Sequence, residues 1–219
     1  MDRDFIADFE EYFFDVLDTI AKIPELDIEL LPAKKTVLVL MNMTVGMIRE
    51  NWNINKPFNG VVEPVIELLK LCKKRKMQVI AIGDAHSENS TEFRYISKHC
   101  IAHTQSAEII DEIKEVGGYE IISKNSLNAF HSDGFQKFLK ENNNIINYIV
   151  CGVATDIGIM NFCLTLKSYF DEQNRDVNII VPYNAVETFD QRMHCNDIAN
   201  IFAIQHMASQ GIEFVKGVY

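Results

Sequence analysis

The chain has 219 residues, enough for one domain with a substantial core, and its 47% apolar content excludes a disordered or fibrous protein. A formal net charge of -10 sets it against nucleic acid and anionic membrane surfaces, both of which repel an acidic partner. No apolar run approaches the roughly 18 residues needed to cross a bilayer. The acidic, polar start Met1-Asp2-Arg3-Asp4 is unlike a secretory signal. Five cysteines form an odd count without a CxxC pair, and Cys72, Cys151 and Cys163 fall in apolar segments. They read as reduced thiols of a cytoplasmic protein.

Residues 1–23 place Phe5, Phe9, Phe13, Val16, Leu17 and Ile20 at helical spacing, which predicts one amphipathic helix ending near Pro24. Its apolar side is expected to pack on the domain or on a partner subunit. The polar side is acidic, which does not suit a membrane-surface helix. Residues 1–32 are thus an N-terminal helix and linker, and 33–219 the main domain.

Beyond Leu31-Pro32, short apolar runs alternate with amphipathic segments. Strands are predicted at 36–41, 78–82, 119–122, 145–151, 177–181 and 212–215, and helices near 61–75, 106–115, 133–142, 156–172 and 194–209. The basic run Lys73-Lys74-Arg75-Lys76 closes one of these helices, where cations suit the dipole. Strands that read as nearly continuous Val, Ile and Leu belong to a parallel sheet buried on both faces. The expected fold is a three-layer α/β/α sandwich with a mainly parallel, six-stranded, Rossmann-like sheet plus the extra N-terminal helix.

In open parallel sheets ligands sit beyond the carboxyl ends of the strands, so those ends carry the functional reading. The second strand closes with Asp84-Ala85-His86, and His99 follows a polar loop. An aspartate and two histidines near one strand end suit a divalent metal such as zinc, manganese or iron. The same residues also suit a capped loop with histidines bonded to backbone. Lys124 follows the third strand, where it can bind an anionic group or simply face solvent. The fourth strand leads through Cys151-Gly152-Val153-Ala154-Thr155-Asp156-Ile157-Gly158 into a long helix, with Thr155 the expected N-cap. Such a turn aims backbone N–H groups at an anion or oxyanion, although any well-capped strand–helix junction has the same pattern.

Taken in order, these segments resemble the isochorismatase-like cysteine hydrolases, most like the nicotinamidase-related, clostridial-type branch. The resemblance spans nearly all of 35–215 and rests on Asp84-Ala85-His86, His99-Cys100-Ile101, Lys124-Asn125-Ser126 and Gly152-Val153-Ala154-Thr155-Asp156. It extends through Met160-Asn161-Phe162, Asn174-Arg175-Asp176-Val177, Val181-Pro182 and Ala185-Val186-Glu187-Thr188, and even to Ile23-Pro24-Glu25-Leu26. It implies a metal at Asp84, His86 and His99, and an oxyanion-binding turn at Val153, Ala154 and Thr155 with a cis Val153-Ala154 bond. It also implies a Cys–Asp–Lys triad, of which Lys124 is present. The aspartate position holds Asn42 and the cysteine position holds Gly158. Relatives often carry glycine where this chain has His103.

Without a side chain at 158 no thioester forms there, and Asn42 does not accept a proton near neutral pH. Losing acting members of an acyl-transfer triad costs about 10⁴ to 10⁶ in rate. Cys163, Cys151, Cys100 and Thr155 are poorly placed as substitutes and read as structural. Three functions follow in order of preference. The first is a catalytically impaired member that binds a small amide or pyridine-like ligand. The second is an active, nicotinamidase-like amidohydrolase using metal-bound water or a relocated nucleophile. The third is a non-catalytic interaction subunit. The resemblance also implies a homo-oligomer.

Overall fold

Apolar residues are distributed so that the centre of one sheet is buried on both faces. The structure is a computed structural model that describes residues 3–50, 58, 60–191 and 193–219, with side chains from residue 10 onward. Strands β1 (Thr36–Met41) and β4 (Asn147–Val153) are buried at every position. They lie side by side at the centre of a parallel sheet ordered β3-β2-β1-β4-β5-β7. The others are β2 (Gln78–Asp84), β3 (Glu120–Lys124), β5 (Asn178–Pro182) and β7 (Glu213–Val215). A two-residue β6 (Val186–Glu187) pairs with the end of β4. The edge strand β3 leaves Ile121 63% exposed, as a strand with one covered face does.

One layer holds α2 (Val45–Ile48), α3 (Val62–Lys74) and α4 (Asp111–Val116), whose Met47, Val65, Leu69 and Ile113 share a core with Leu38 and Leu40 of β1. The other holds α5 (Asp133–Glu141), α6 (Met160–Glu172) and α7 (Asn196–Ser209), where Phe135, Phe162, Leu166 and Met207 pack with Val37, Val39 and Met41. Alternate residues of one strand thus feed opposite cores. Helix α1 (Arg3–Ala21) lies against α7, its Val16 and Ile20 bordering the same groove as Ile204 and Ala208. Phe5 and Phe9, part of the apolar stripe expected on this helix, lie outside the described side chains. The linker is tied to the C-terminus: Leu26 N–H donates to the Gly217 carbonyl at 2.9 Å, and Tyr219 N–H to that of Leu26 at 3.1 Å. No described helix is long and apolar enough to cross a membrane.

The expected α/β/α sandwich is present with all six expected strands, joined by the short β6. Two local expectations need correction. The segment 106–115 is not one helix: a 3-10 turn covers Gln105–Ala107 and α4 starts only at Asp111. Ser106 Oγ accepts from Cys100 N–H and donates to Glu50, and Ile109 bridges Thr44, which draws the backbone out of helical geometry. Thr155 is not the N-cap: Ala154 is, and Thr155–Ile159 form a wide π-type turn that leads into α6. The Ala154 carbonyl accepts from Ile157 and Ile159 N–H, so Thr155 already lies inside the first turn. Its hydroxyl is buried without a partner.

Strand order fixes where a ligand can enter. From β1 the chain steps outward through β2 and β3, then returns to β4 beside β1 and proceeds to β5 and β7. Loops leaving β1 and β4 therefore part in opposite directions, opening a crevice at their carboxyl ends.

Candidate metal and small-molecule site

The register of β2 against β3 builds the first part of the site. Asp84 and Lys124 are direct partners across that pair, each the last residue of its strand. Both are 3% exposed, and Lys124 Nζ donates to Asp84 Oδ1 and, at 3.2 Å, to the Ser126 carbonyl. Burying either charge alone is costly, so each holds the other in place.

Past Asp84 the chain stays extended, and His86 forms a parallel bridge with Ile101. His86 N–H donates to the Cys100 carbonyl at 2.9 Å and Ala102 N–H to that of His86 at 2.8 Å. This bridge brings His99 beside His86, their ring centroids 4.8 Å apart. Asp84 Oδ1 lies 3.5 Å from His86 Nε2, and Asp84 Oδ2 lies 3.9 Å from His99 Nε2. His103, at the end of this loop, has φ 64°, a conformation glycine adopts freely.

These residues fit a divalent ion on four grounds. The ligand atoms of Asp84, His86 and His99 all lie within 4.8 Å of one another. Nδ1 of His86 is 3.1 Å from the Asn125 carbonyl, and Nδ1 of His99 is 2.9 Å from the Ser97 carbonyl. A carbonyl only accepts, so Nδ1 carries the proton and the Nε2 lone pair is left for a metal. His86 Nε2 is moreover buried without a hydrogen-bond partner. Burial, opposed by the Asp84 carboxylate, pushes the His86 pKa below the usual histidine value and favours the neutral, ligating form.

The second part of the site lies at the ends of β1 and β4. Asn42 follows β1 with φ 55°, which asparagine tolerates better than most residues, and its N–H donates to the Ile82 carbonyl at 2.7 Å. The side chain is 4% exposed and Oδ1 has no partner. Gly152, with φ 114°, lets β4 approach β1: a Cβ there would stand 2.0 Å from the Met41 carbonyl oxygen. The Val153–Ala154 bond is cis. At Gly158 the situation is reversed. A Cβ would meet nothing nearer than the Val153 carbonyl at 3.6 Å and Asn42 Nδ2 at 3.7 Å. The backbone has room for a side chain at 158, and that side chain would touch residue 42.

One cavity of about 150 Å³ is lined by both parts: Asp84, His86, His99 and Lys124 on one side, Asn42, Ala154 and Gly158 on the other. Volumes of that size hold one six-membered ring. Val153 and Thr155 flank Ala154 in the backbone but do not line the cavity. Sequence reasoning missed the apolar walls, formed by Met47, Tyr95, Ile96, Leu127, Ile157 and Phe189, as well as the half-buried Glu92. They lie on irregular segments, where no periodicity marks which side chain turns inward. None of Cys100, Cys151 and Cys163 lines the cavity. Burial drives the Cys100 thiol up to about 12 and raises Cys151 and Cys163 as well, which suits structural thiols.

A parallel sheet with a strand-end crevice, a buried aspartate and two histidines, and a lysine joined to that aspartate describe an isochorismatase-like hydrolase architecture. The chain belongs to the isochorismatase family, since the Isochorismatase domain model matches residues 36–210. Among solved structures it is similar to the nicotinamidase of Bacillus subtilis, at 19% identity and a TM-score of 0.68, covering 83% of this chain and 99% of that one. The pyrazinamidase of Pyrococcus horikoshii in complex with zinc matches at 21% identity and TM-score 0.65, covering 83% and 98%. N-carbamoylsarcosine amidase from Thermoplasma acidophilum matches at 20% and 0.64, covering 83% and 95%. The comparison with curated proteins returns no match.

Proposed function

We propose that this chain, a relative of the nicotinamidase-related branch, binds a small planar amide or pyridine-like molecule beside a divalent metal and does not cleave it by the family's cysteine route. The observation that carries this is the meeting of Asn42 with Gly158. The two positions are adjacent in the crevice, yet one has no side chain and the other no basic group. Nucleophilic acyl transfer needs both an attacking atom and a proton acceptor. What remains supports binding: a ring-sized cavity, a paired Lys124–Asp84 and two histidines poised for a metal. Asp84, His86 and His99 would hold the ion, which would supply Lewis-acid chemistry to the pocket when bound. Lys124 holds the Asp84 carboxylate in place, and the apolar walls exclude water. The similar structures, amidases of which one holds zinc, favour this ligand class. Self-association into a homo-oligomer is part of the same proposal, checked by sedimentation of the purified chain.

The test is calorimetric titration of zinc-loaded protein with nicotinamide, paired with an assay for released ammonia. Binding without ammonia is the expected result. Clear turnover abolished by His86→Ala would overturn the proposal in favour of hydrolysis by metal-bound water. Absence of both metal and nicotinamide binding would leave only a role as an interaction subunit.

A further inference from the structure

Asn42 lines the ring-sized cavity from the end of β1 and is 4% exposed. Its side chain is a primary amide, with two N–H donors on Nδ2 and an acceptor at Oδ1. Oδ1 is buried without a hydrogen-bond partner among the described residues. Nδ2 stands 3.7 Å from the point where a Cβ at residue 158 would lie, so it faces the opening that Gly158 leaves. Other polar side chains around the cavity are engaged within the protein. Lys124 donates to Asp84 and to the Ser126 carbonyl, and His86 and His99 bond the carbonyls of Asn125 and Ser97. Glu92 Oε1 accepts from Leu127 N–H at 2.7 Å, and Tyr95, 73% exposed, reaches solvent. The φ of 55° explains why asparagine suits the backbone at 42, but not why its amide is buried with Oδ1 unpaired.

A buried amide without partners is costly, so a ligand that supplies both of them is favoured over one that supplies neither. One chemical edge does this in a single contact. An amide whose N–H and C=O lie on the same side donates to Oδ1 while accepting from Nδ2. Rotation about the asparagine χ2 is soft, which lets both ends turn toward one plane. Turning the amide by 180° exchanges the two ends and leaves the demand the same. Primary carboxamides and cyclic amides have such an edge. An open secondary amide holds its N–H on the opposite side from its C=O, because the other isomer is disfavoured. A ketone or a carboxylate has no donor to offer Oδ1.

We propose that Asn42 is the specificity-determining residue of the cavity and reads an amide edge that carries N–H and C=O side by side. The ligand class is then a primary carboxamide or a cyclic amide on a planar ring, seated with that edge toward the β1–β4 side. Gly158 belongs to the same arrangement, because its bare backbone leaves the approach to Nδ2 open. The inference rests on the binding function proposed above and narrows it to one kind of ligand.

The test titrates the full, zinc-loaded chain calorimetrically with three pyridines that differ only in one ring substituent: nicotinamide, nicotinamide methylated on its amide nitrogen, and 3-acetylpyridine. Nicotinamide is expected to bind at least about tenfold more tightly than either of the others, the scale of one lost hydrogen bond in a buried pair. In Asn42→Gly, a replacement that accepts the positive φ, the three should bind within about threefold of one another. Unchanged zinc binding shows that the variant is still folded around the site. Should the variant not hold zinc, the parent chain decides: the Asn42 side-chain NH2 signals should shift in NMR spectra on saturation with nicotinamide, and unmoved signals would overturn the assignment. Equal affinities for the three ligands in the parent, or a preference for nicotinamide that persists in zinc-binding Asn42→Gly, would overturn it too and leave the binding function standing. Binding of none of the three would overturn the binding function and the amide reading with it.

Discussion

On the β2–β3 side of the crevice, Asp84, His86, His99 and Lys124 are all buried, and their charges and ring nitrogens face one another or backbone carbonyls. On the β1–β4 side, a neutral Asn42 faces the bare backbone of Gly158. The two sides share one cavity but differ in what the fold requires of them. Charged groups out of water survive only with partners, so the first side is a mutually dependent set in which removing one member strands another. The second side presents no charge to the cavity, and the polar atoms left there without a partner, the Asn42 carbonyl oxygen and the Thr155 hydroxyl, are both neutral. Binding and cleavage are therefore separable in this pocket on physical grounds.

Restoring the second side gives the largest expected effect. Asn42→Asp combined with Gly158→Cys should raise ammonia release from nicotinamide by about 10³-fold or more over the parent chain, the scale on which triads act together. Iodoacetamide should label residue 158. Neither labelling nor turnover would mean that 42 and 158 do not cooperate as their proximity indicates. Breaking the first side comes next. Lys124→Met leaves Asp84 buried without its cation and should cost about 3–5 kcal/mol in urea denaturation, part of it restored by zinc. An unchanged midpoint would show the pair to be dispensable.

Removing a ligand without stranding a charge has a smaller effect. His86→Ala should weaken zinc binding on the order of 100-fold by calorimetry. The same histidine sets a pH dependence. Its folded pKa lies below the unfolded value, so the unfolded chain takes up a proton first as pH falls. The stability it contributes is complete above about 6.5 and declines as pH drops below it. Zinc affinity should hold to a lower pH than for an ordinary histidine. The smallest effect is at Gly158→Ala. The added methyl has only ordinary contacts, and alanine suits a helical turn better than glycine, so stability should rise by up to about 1 kcal/mol. A loss of more than that would show the crevice to be tighter than its backbone geometry indicates.

The polar side of the pocket was legible in the sequence because strand ends are legible. Continuous apolar runs stop at Asp84 and Lys124, and a parallel sheet must bring neighbouring strand ends together. Reading 42 and 158 as the aspartate and cysteine positions is a proposal that only family resemblance suggested, since asparagine and glycine after a strand are ordinary turn residues. Their proximity needed the β1–β4 adjacency and the positive φ of Gly152. The cavity walls were not legible. Tyr95, Leu127 and Phe189 lie in segments held by individual hydrogen bonds, such as Leu127 N–H to Glu92 at 2.7 Å, rather than by a repeating pattern. The elements that escaped notice, α2 and β6, span four and two residues, about one period each, so no repeat can show in them.

The bare backbone at Gly158 also decides how this protein meets an oxidising or electrophilic environment. A cysteine hydrolase is inactivated through its reactive thiolate, which climbs the ladder from sulfenic to sulfonic acid. Here the pocket has no thiolate to lose. Cys72, Cys100, Cys151 and Cys163 are buried, with burial raising each thiol, and Cys195 alone is exposed. Ligand binding in this crevice should thus survive peroxide and alkylating agents at doses that silence a thiol-dependent amidase, making the chain a redox-indifferent version of a redox-vulnerable design.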